Sequence, residues 1–331
     1  MRSAVRTAVI VRLIATALIG LALFGATPLY AQDWPTKPVR ILSGFAAGGI
    51  ADLAARLLAE YITRTTGQQA VVENRTGASG SLAMDAVAKA APDGYTLGVP
   101  LNSNLVINPF IQKSMPFDAL NDMVHVAAIL DGPQLIAISA EVPAKTFAEF
   151  VALAKAKPGT FAYGSAGVGS LAHLAGDALA RQAGIQLVHV PYRGNVQAIT
   201  DVIGGRIHLV SSSIGTLRAG VDAGKLRLLL ASTKIRLAAA PDVPTSAEAG
   251  VPGYLMSAWT GVVAPAGTPQ LVVGRINALV QNMLKDETAR KAILGAGLEL
   301  MPMSQPEFAG FVRAEYGRWE KIVKDAGVER E

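Results

Sequence analysis

The chain of 331 residues contains no cysteine. That excludes a disulfide framework, a thiolate metal site, a cysteine nucleophile and the acylated cysteine of a bacterial lipid anchor. Histidine is scarce as well. His125, His173, His189 and His208 are scattered without HExxH-like spacing, so the sequence points to no metal centre. No pair of carboxylates stands out for acid–base chemistry, and neither G-x-x-x-x-G-K-[ST] nor G-x-G-x-x-G is present, so nucleotide binding has no support. There is no Lys/Arg cluster of the kind that tracks a nucleic acid backbone. Beyond the first thirty residues no apolar run is long enough to suggest a membrane span.

What is present begins at the N-terminus. Arg2, Arg6 and Arg12 precede the uncharged run LIATALIGLALF, and GATPLYAQ follows. Basic, apolar and then small-residue segments in that order read as a secretory signal peptide, residues 1–31, cleaved after Ala31. The run is too short to span a bilayer comfortably. Cleavage removes three arginines and no acid, so the formal charge falls from +5 to +2 and the basic pI is partly an export signal. An exported chain with no anchor is retained only behind a second membrane. The expected location is therefore the periplasm.

From Trp34 the pattern is strand, loop and helix, repeated. VRILSGF reads as a buried strand. Ile50, Leu53, Ala54, Leu57, Leu58, Tyr61 and Ile62 then fall on one helical face. QAVVEN and a strand in PDGYTLGV continue the alternation, and LIAIS, TFAYGS, LVHVP and GRIHLVSSS repeat it further on. Leu171, Leu174, Ala175, Ala178 and Leu179 mark another helix face. After the Pro/Gly-rich stretch APDVPTSAEAGVPG and the strand TGVVAP, two long helices are expected near 269–284 and 306–326. Phe308, Phe311, Val312, Tyr316, Trp319 and Val323 form the stripe of the second. Alternation of this kind implies an α/β fold of parallel sheets covered by helices on both faces, and the length implies two domains.

Two strand-to-helix loops carry the chemistry. In GFAAGGIAD, residues Phe45, Ala46, Ala47, Gly48 and Gly49 lie just ahead of a helix start. There the first amides lack helical partners and the macrodipole presents partial positive charge. Asp52 sits in the first turn, suited to the dipole and able to accept a ligand N–H or ordered water. A carboxylate or phosphate site and a simple glycine turn are equally consistent with this motif. In YGSAGVGSLAHL, Ser165, Gly167, Val168, Gly169 and Ser170 form a second such junction, with Ser170 the expected N-cap. The G-x-S-x-G nucleophile elbow is absent, and His173, Asp177 and Arg181 recur at i+4 spacing as a polar helix face. Arg193, in a strand-end loop, is either a surface arginine or a candidate to face the same cleft, and Ser103 with Asn104, at the end of a strand, either supply hydrogen bonds to a ligand or cap the next turn. Binding without catalysis fits the missing nucleophile, metal and acid–base set. The rival readings are an exported serine hydrolase and a ligand-sensing receptor for a sensor kinase.

The segments WPTKPVRILSGFAAGGIAD, VVENRTGASGS, APDGYTLGV, YGSAGVGSLAHL, VPYRGNVQAITDVIGGRIHLV, AGKLRLLLAST, APDVPTSAEAGVPGY and WTGVVAPAGTP, in that order, resemble the Bug family. These are the extracytoplasmic solute-binding receptors of tripartite tricarboxylate transporters. The resemblance implies a type II periplasmic-binding-protein fold, two doubly wound lobes around a ligand cleft, with 33–132 plus 258–331 as one lobe and 133–257 as the other. It implies that the loops Phe45–Gly49 and Ser165–Ser170 hold a ligand carboxylate through amides, hydroxyls and water. It further implies no cofactor, a monomer, and partners in the membrane carrier subunits. Implied ligands are di- and tricarboxylates, acidic amino acids and aromatic carboxylates. Ser43 and Ala46–Ala47 replace more rigid residues of the family's first loop, Gln197 stands where proline is frequent, His208 where an acid is common, and NLVINP lacks a frequent histidine. These departures leave the ligand open.

Overall fold

The computed structural model describes residues 34–330, and the expected signal peptide lies outside them. The chain runs through β1 (Val39–Ser43), α1 (Ile50–Thr66), β2 (Ala70–Asn74), α2 (Ser81–Ala88) and β3 (Thr96–Val99). A π-helical turn, Ser103–Ile107, leads into the one-turn helix α3 (Asn108–Ile111) and then β4 (Met123–Asp131). Ser103 and Asn104 therefore stand in a π turn and not at a strand end. A second series follows: β5 (Leu135–Ser139), α4 (Phe147–Ala156), β6 (Ala162–Ser165), α5 (Leu171–Ala183), β7 (Val188–Pro191), α6 (Asn195–Ile203), β8 (Leu209–Ser212), α7 (Ile214–Asp222) and β9 (Leu226–Ala231). The chain returns through β10 (Thr260–Pro265), α8 (Gln270–Met283), α9 (Glu287–Gly295), β11 (Glu299–Leu300) and α10 (Gln305–Asp325). Helices α7 and α9 are not evident from periodicity because each is short and its apolar face is small.

Among the described residues eleven strands make two sheets, ordered β11-β4-β10-β3-β1-β2 and β7-β6-β8-β5-β9. Only β2-β1-β3 and β7-β6-β8 are parallel; β4, β5, β9, β10 and β11 pair antiparallel. The expectation of wholly parallel sheets is thus corrected. The chain leaves the first sheet along β4 and re-enters along β10, so these neighbours must run in opposite directions. At that passage Gly132 and Ala258 exchange both backbone hydrogen bonds, at 3.2 and 3.0 Å, and Gln134 N–H donates to Met256 O at 2.9 Å. β5 and β10 are buried throughout, as strands covered on both faces must be.

The helices bury slightly different faces than periodicity suggests. In α1 the buried stripe is Ala51, Ala54, Ala55, Leu58, Ala59 and Ile62, while Leu53, Leu57 and Tyr61 are half-buried beside it. Alanines let the helix axis approach the sheet closely, so of the larger side chains only Leu58 and Ile62 are fully buried and Leu53, Leu57 and Tyr61 lie on the flanks. The helix ends at Gly67, whose left-handed conformation (φ 71°) lets its N–H reach Thr63 O. Helix α10 begins with a Ser304–Glu307 capping box and buries Phe308, Val312, Trp319 and Val323, with Phe311 and Tyr316 half-buried. Glu315 on this helix accepts from the indole N–H groups of Trp259 (3.4 Å) and Trp319 (3.1 Å) and from the Arg318 guanidinium. Arg318 also donates to Leu255 O at 2.8 Å. The inter-sheet passage is thereby tied to the C-terminal helix. Beside it, Asp131 stands opposite Glu299, and burial above all, with Glu315 and Glu299 adding repulsion, pushes its carboxyl up to about 6.

Candidate functional site

In the first sheet β1 feeds α1 toward β2 on one side, and β3 lies on the other, so the order reverses between β1 and β3. In the second sheet it reverses between β6 and β8. At such points the loops leaving adjacent strands part to opposite faces, and the crevice at the carboxyl edge is where α/β folds bind ligands. The two edges face each other. The start of α1 (Gly48, Gly49, Ile50, Leu53) and the start of α7 (Ser213, Gly215, Thr216, Arg218) line one cavity of about 450 Å³ with residues 295–298. A second, of about 350 Å³, has Ala78 and Ser79 on one wall and Val168 and Gly169 on the other.

The first loop is held from below. Asp52 is 3% exposed. Its Oδ2 accepts from Gly48 N–H (2.9 Å) and Arg56 Nε (2.8 Å), and its Oδ1 from Asn74 Nδ2 (3.0 Å). Asn74 also donates to Phe45 O at 2.9 Å. Asp52 therefore organises the loop, and the Gly48 amide is engaged by it. No side chain caps α1 at Gly49, so the first-turn amides of Ile50, Ala51 and Asp52 have no side-chain acceptor, and of these three residues Ile50 lines the cavity. Ala46, Ala47, Gly48 and Gly49 are exposed and Phe45 is half-buried.

Hydrogen bonding to Arg56, followed by bonds from Gly48 and Asn74 against the cost of burial, draws the Asp52 carboxyl down to about 2. A depressed folded-state value means that the stabilisation is present above the ordinary carboxylate range and is lost as pH falls toward 2. We expect Asp52→Asn to cost about 1–2 kcal/mol at pH 7. The difference from the parent should shrink as the pH is lowered below 4. Denaturant melts across pH 2–7 check this, and a pH-independent difference would contradict it.

Next to this loop, Gly77, Ala78, Ser79 and Gly80 all have positive φ (128°, 45°, 52° and 85°). Two of them are not glycine, so the turn is strained and must be held. Asn104 Nδ2 (2.7 Å) and Asn108 Nδ2 (3.2 Å) both donate to Ser79 O, while Asn104 Oδ1 accepts from Leu101 N–H at 3.1 Å. Asn104 is fully buried in this role, and Ser103 is half-buried beside it. A Cβ on Gly44 would stand 2.6 Å from Gly80 Cα, so the two loops touch backbone to backbone. Ser79 is not among the residues singled out from sequence, because nothing local marks a serine as left-handed.

The second loop is organised differently. Ser165 is fully buried; its Oγ lies 2.6 Å from His189 Nε2, accepts from Gly167 N–H at 3.1 Å and lies 3.0 Å from Gly167 O. Gly169 N–H donates to His173 Nδ1 (3.1 Å), and Ser170 Oγ caps α5 by accepting from His173 N–H while donating to Gly167 O (2.7 Å). His173 and His189 stack at 4.0 Å between centroids, and burial lowers both, His189 to about 4. The amides of Gly167, Gly169 and Ser170 (the last to Gly167 O) are engaged within the loop. His173 thus belongs to the loop and does not simply extend the polar face on which Asp177 and Arg181 pair at 2.7 Å. Ser165 has a histidine within hydrogen-bond reach, yet no surface from which to attack a substrate. Val168 is exposed at the rim, and Arg193 is exposed in the loop after β7.

The matched profile of the tripartite tricarboxylate transporter family receptor, TctC, covers residues 54–328. The chain belongs to this family. BugT of Bordetella pertussis is 31% identical over 318 residues, 96% of this chain and 98% of that protein. A Rhodopseudomonas palustris protein solved with adipate is 32% identical, covering 90% of this chain and 100% of its own, with a TM-score of 0.78. MatC from Rhodopseudomonas palustris, solved with bound malate, is 30% identical over 88% of this chain and 100% of its own, with a TM-score of 0.72. The fold is accordingly the two-lobed binding-protein fold expected from the resemblance. Among the described residues of this TctC-family receptor no helix is long and apolar enough to cross a membrane, and no cluster of three metal-ligating side chains occurs.

Proposed function

We propose that this receptor captures a small organic carboxylate in the periplasm and delivers it to the membrane subunits of a tripartite tricarboxylate transporter. The observation that carries the reading is the cavity of about 450 Å³ into which α1 and α7 both point their N-termini, neither capped by a side chain. First-turn amides at two helix starts, of which Thr216 N–H in α7 is turned to Ser213 O at 3.1 Å, two helix dipoles and Arg218 favour an anion there. The volume lies in the range of small-molecule sites. Family relatives solved with adipate and malate point to the same chemistry.

The lobes in this reading are residues 33–132 with 258–331, and 133–257, which separates the two sheets at the Gly132–Ala258 passage. The clamp in this reading is the loop Phe45–Gly49 with the amides that follow it, with the start of α7 across the cavity; the loop Ser165–Ser170, the other half of the expected clamp, lines the second cavity through Val168 and Gly169, opposite Ala78 and Ser79. Phe45 packs on the ligand, Asp52 and Asn104 hold the loops that shape the site, and Ser103 and Arg193 border it. Each charge-assisted hydrogen bond to a buried carboxylate contributes roughly 1.5–3 kcal/mol, and several of them offset the cost of ordering two lobes. A thermal-shift screen against dicarboxylates, tricarboxylates, acidic amino acids and aromatic acids tests the reading. A saturable rise in Tm with one class is expected, since only native-state binding stabilises. A cooperative melt unmoved by every carboxylate would overturn it.

A further inference from the structure

The passage between the two sheets touches the lining of the larger cavity. An added Cβ on Gly132, the first residue past β4, would stand 3.1 Å from Leu298 Cδ2 and 3.3 Å from Ile50 Cδ1. Both of those residues line the cavity. Residues 295–298 also meet the start of α7 there. A Cβ on Gly215 would stand 2.8 Å from Ala296 O, and one on Gly297 would stand 2.5 Å from Ile214 Cγ2 and 3.3 Å from Gly215 N. The helices of the two sheets therefore touch nearly backbone to backbone at this rim. The strip that makes the contact leads straight into β11, which is two residues long. That strand is held to β4 by the pairs Glu299–Asp131 and Leu300–Leu130, followed by Met301 N–H donating to Ile129 O at 3.1 Å.

One of those two pairs sets acid directly opposite acid, where like charges repel across an antiparallel ladder. From α10, Glu315 also acts on Asp131, and Arg318 is committed to Glu315 and Leu255 O. Neither β10 nor residues 255–258 contain a charged side chain, and α1 meets the passage through Ile50. The polar partners of the Asp131 carboxyl are Ser257 and the Gly132 amide, and its Oδ1 is sealed from solvent without a well-formed hydrogen bond. An ionised carboxyl is therefore poorly accommodated here. We propose that Asp131 and Glu299 form a proton-gated hinge. With Asp131 neutral, β11 stays on β4 and keeps the rim against α7 closed; with both acids ionised, their repulsion loosens β11 and lets the lobes part. Burial, with Glu315 and Glu299, holds the Asp131 carboxyl up at about 6, and burial raises Glu299 as well. A raised folded-state value means that this arrangement is favoured at low pH and loses ground as pH rises through that value. The inference rests on the two-lobe division proposed above.

The test is small-angle X-ray scattering from the purified, ligand-free protein across a pH series. A compact chain of about 300 residues has a radius of gyration of about 19 Å. Raising the pH from about 5 to about 8 should enlarge that radius by about 0.5–1 Å. Asp131→Asn should keep the smaller radius throughout, because its amide is neutral and nearly the same shape. Glu299→Gln, which removes the repulsion across the ladder, should cut the growth by about half or more. A parent radius that ignores pH would overturn the inference, and so would growth in Asp131→Asn equal to the parent's. Growth accompanied by loss of far-UV helical signal would be unfolding, and would overturn it as well. The parent and Glu299→Gln series stand even where Asp131→Asn folds poorly. No ligand enters the measurement, so its failure leaves the carboxylate reading to the thermal-shift screen.

Discussion

Gly49→Asp should weaken carboxylate binding at least about 100-fold and leave folding stability within about 0.5 kcal/mol of the parent. Gly49 is the N-cap of α1, with extended backbone (φ −85°, ψ 176°) and no capping side chain. An aspartate there has the conformation and the acceptor that helix N-termini prefer, and its Cβ would meet nothing closer than Ala46 O at 3.7 Å. It would cap the same amides that the ligand is proposed to use and place a negative charge where the ligand's charge must sit. Binding and stability are therefore expected to separate. Titration calorimetry together with a denaturant melt reads both quantities. Normal affinity in this variant would show that the carboxylate lies elsewhere.

Gly80→Ala should destabilise the fold by about 2–4 kcal/mol, and the surviving native protein should bind ligand more weakly. Gly80 has φ +85°, and an added Cβ would stand 2.6 Å from Asn104 Nδ2 and 3.1 Å from the Phe45 ring. Either contact is too close to keep. Moving Asn104 removes the shorter of the two bonds to Ser79 O, and moving Phe45 disturbs the first clamp loop. Gly184→Ala is the control, because Gly184 is also left-handed (φ +62°) and an added methyl there would have nothing within 4 Å. It should cost only about 1 kcal/mol, the conformational part of the effect. Similar losses in the two variants, measured by urea unfolding, would show that the contacts around Gly80 contribute nothing.

The α/β alternation, the placement of α1, α5 and α10, and the two strand-to-helix loops at Phe45–Gly49 and Ser165–Ser170 were legible in the sequence. Those features are local. An apolar stripe at helical spacing, a glycine at a helix end or a serine before a helix reports its own conformation through neighbours a few residues away. Even so, α1 buried Ala51, Ala55 and Ala59 beside Leu58 and Ile62 and left Leu53, Leu57 and Tyr61 half-buried, because how closely a helix docks depends on the surface it meets. The antiparallel strands were illegible for the same kind of reason, since direction follows from where the chain re-enters after a long excursion.

Which polar groups are engaged was settled by folding alone. Asp52 takes the Gly48 amide and the side chain of Asn74; Ser165 meets His189, which lies on a separate strand; Asn104 and Asn108 hold the strained turn at Ser79; Asn195 reaches across to β8. Each of these bonds but the Asp52–Gly48 one joins residues far apart in the chain. A loop's composition shows that it can present donors to a ligand, but whether they remain to be presented depends on partners that only the tertiary fold brings within hydrogen-bond reach.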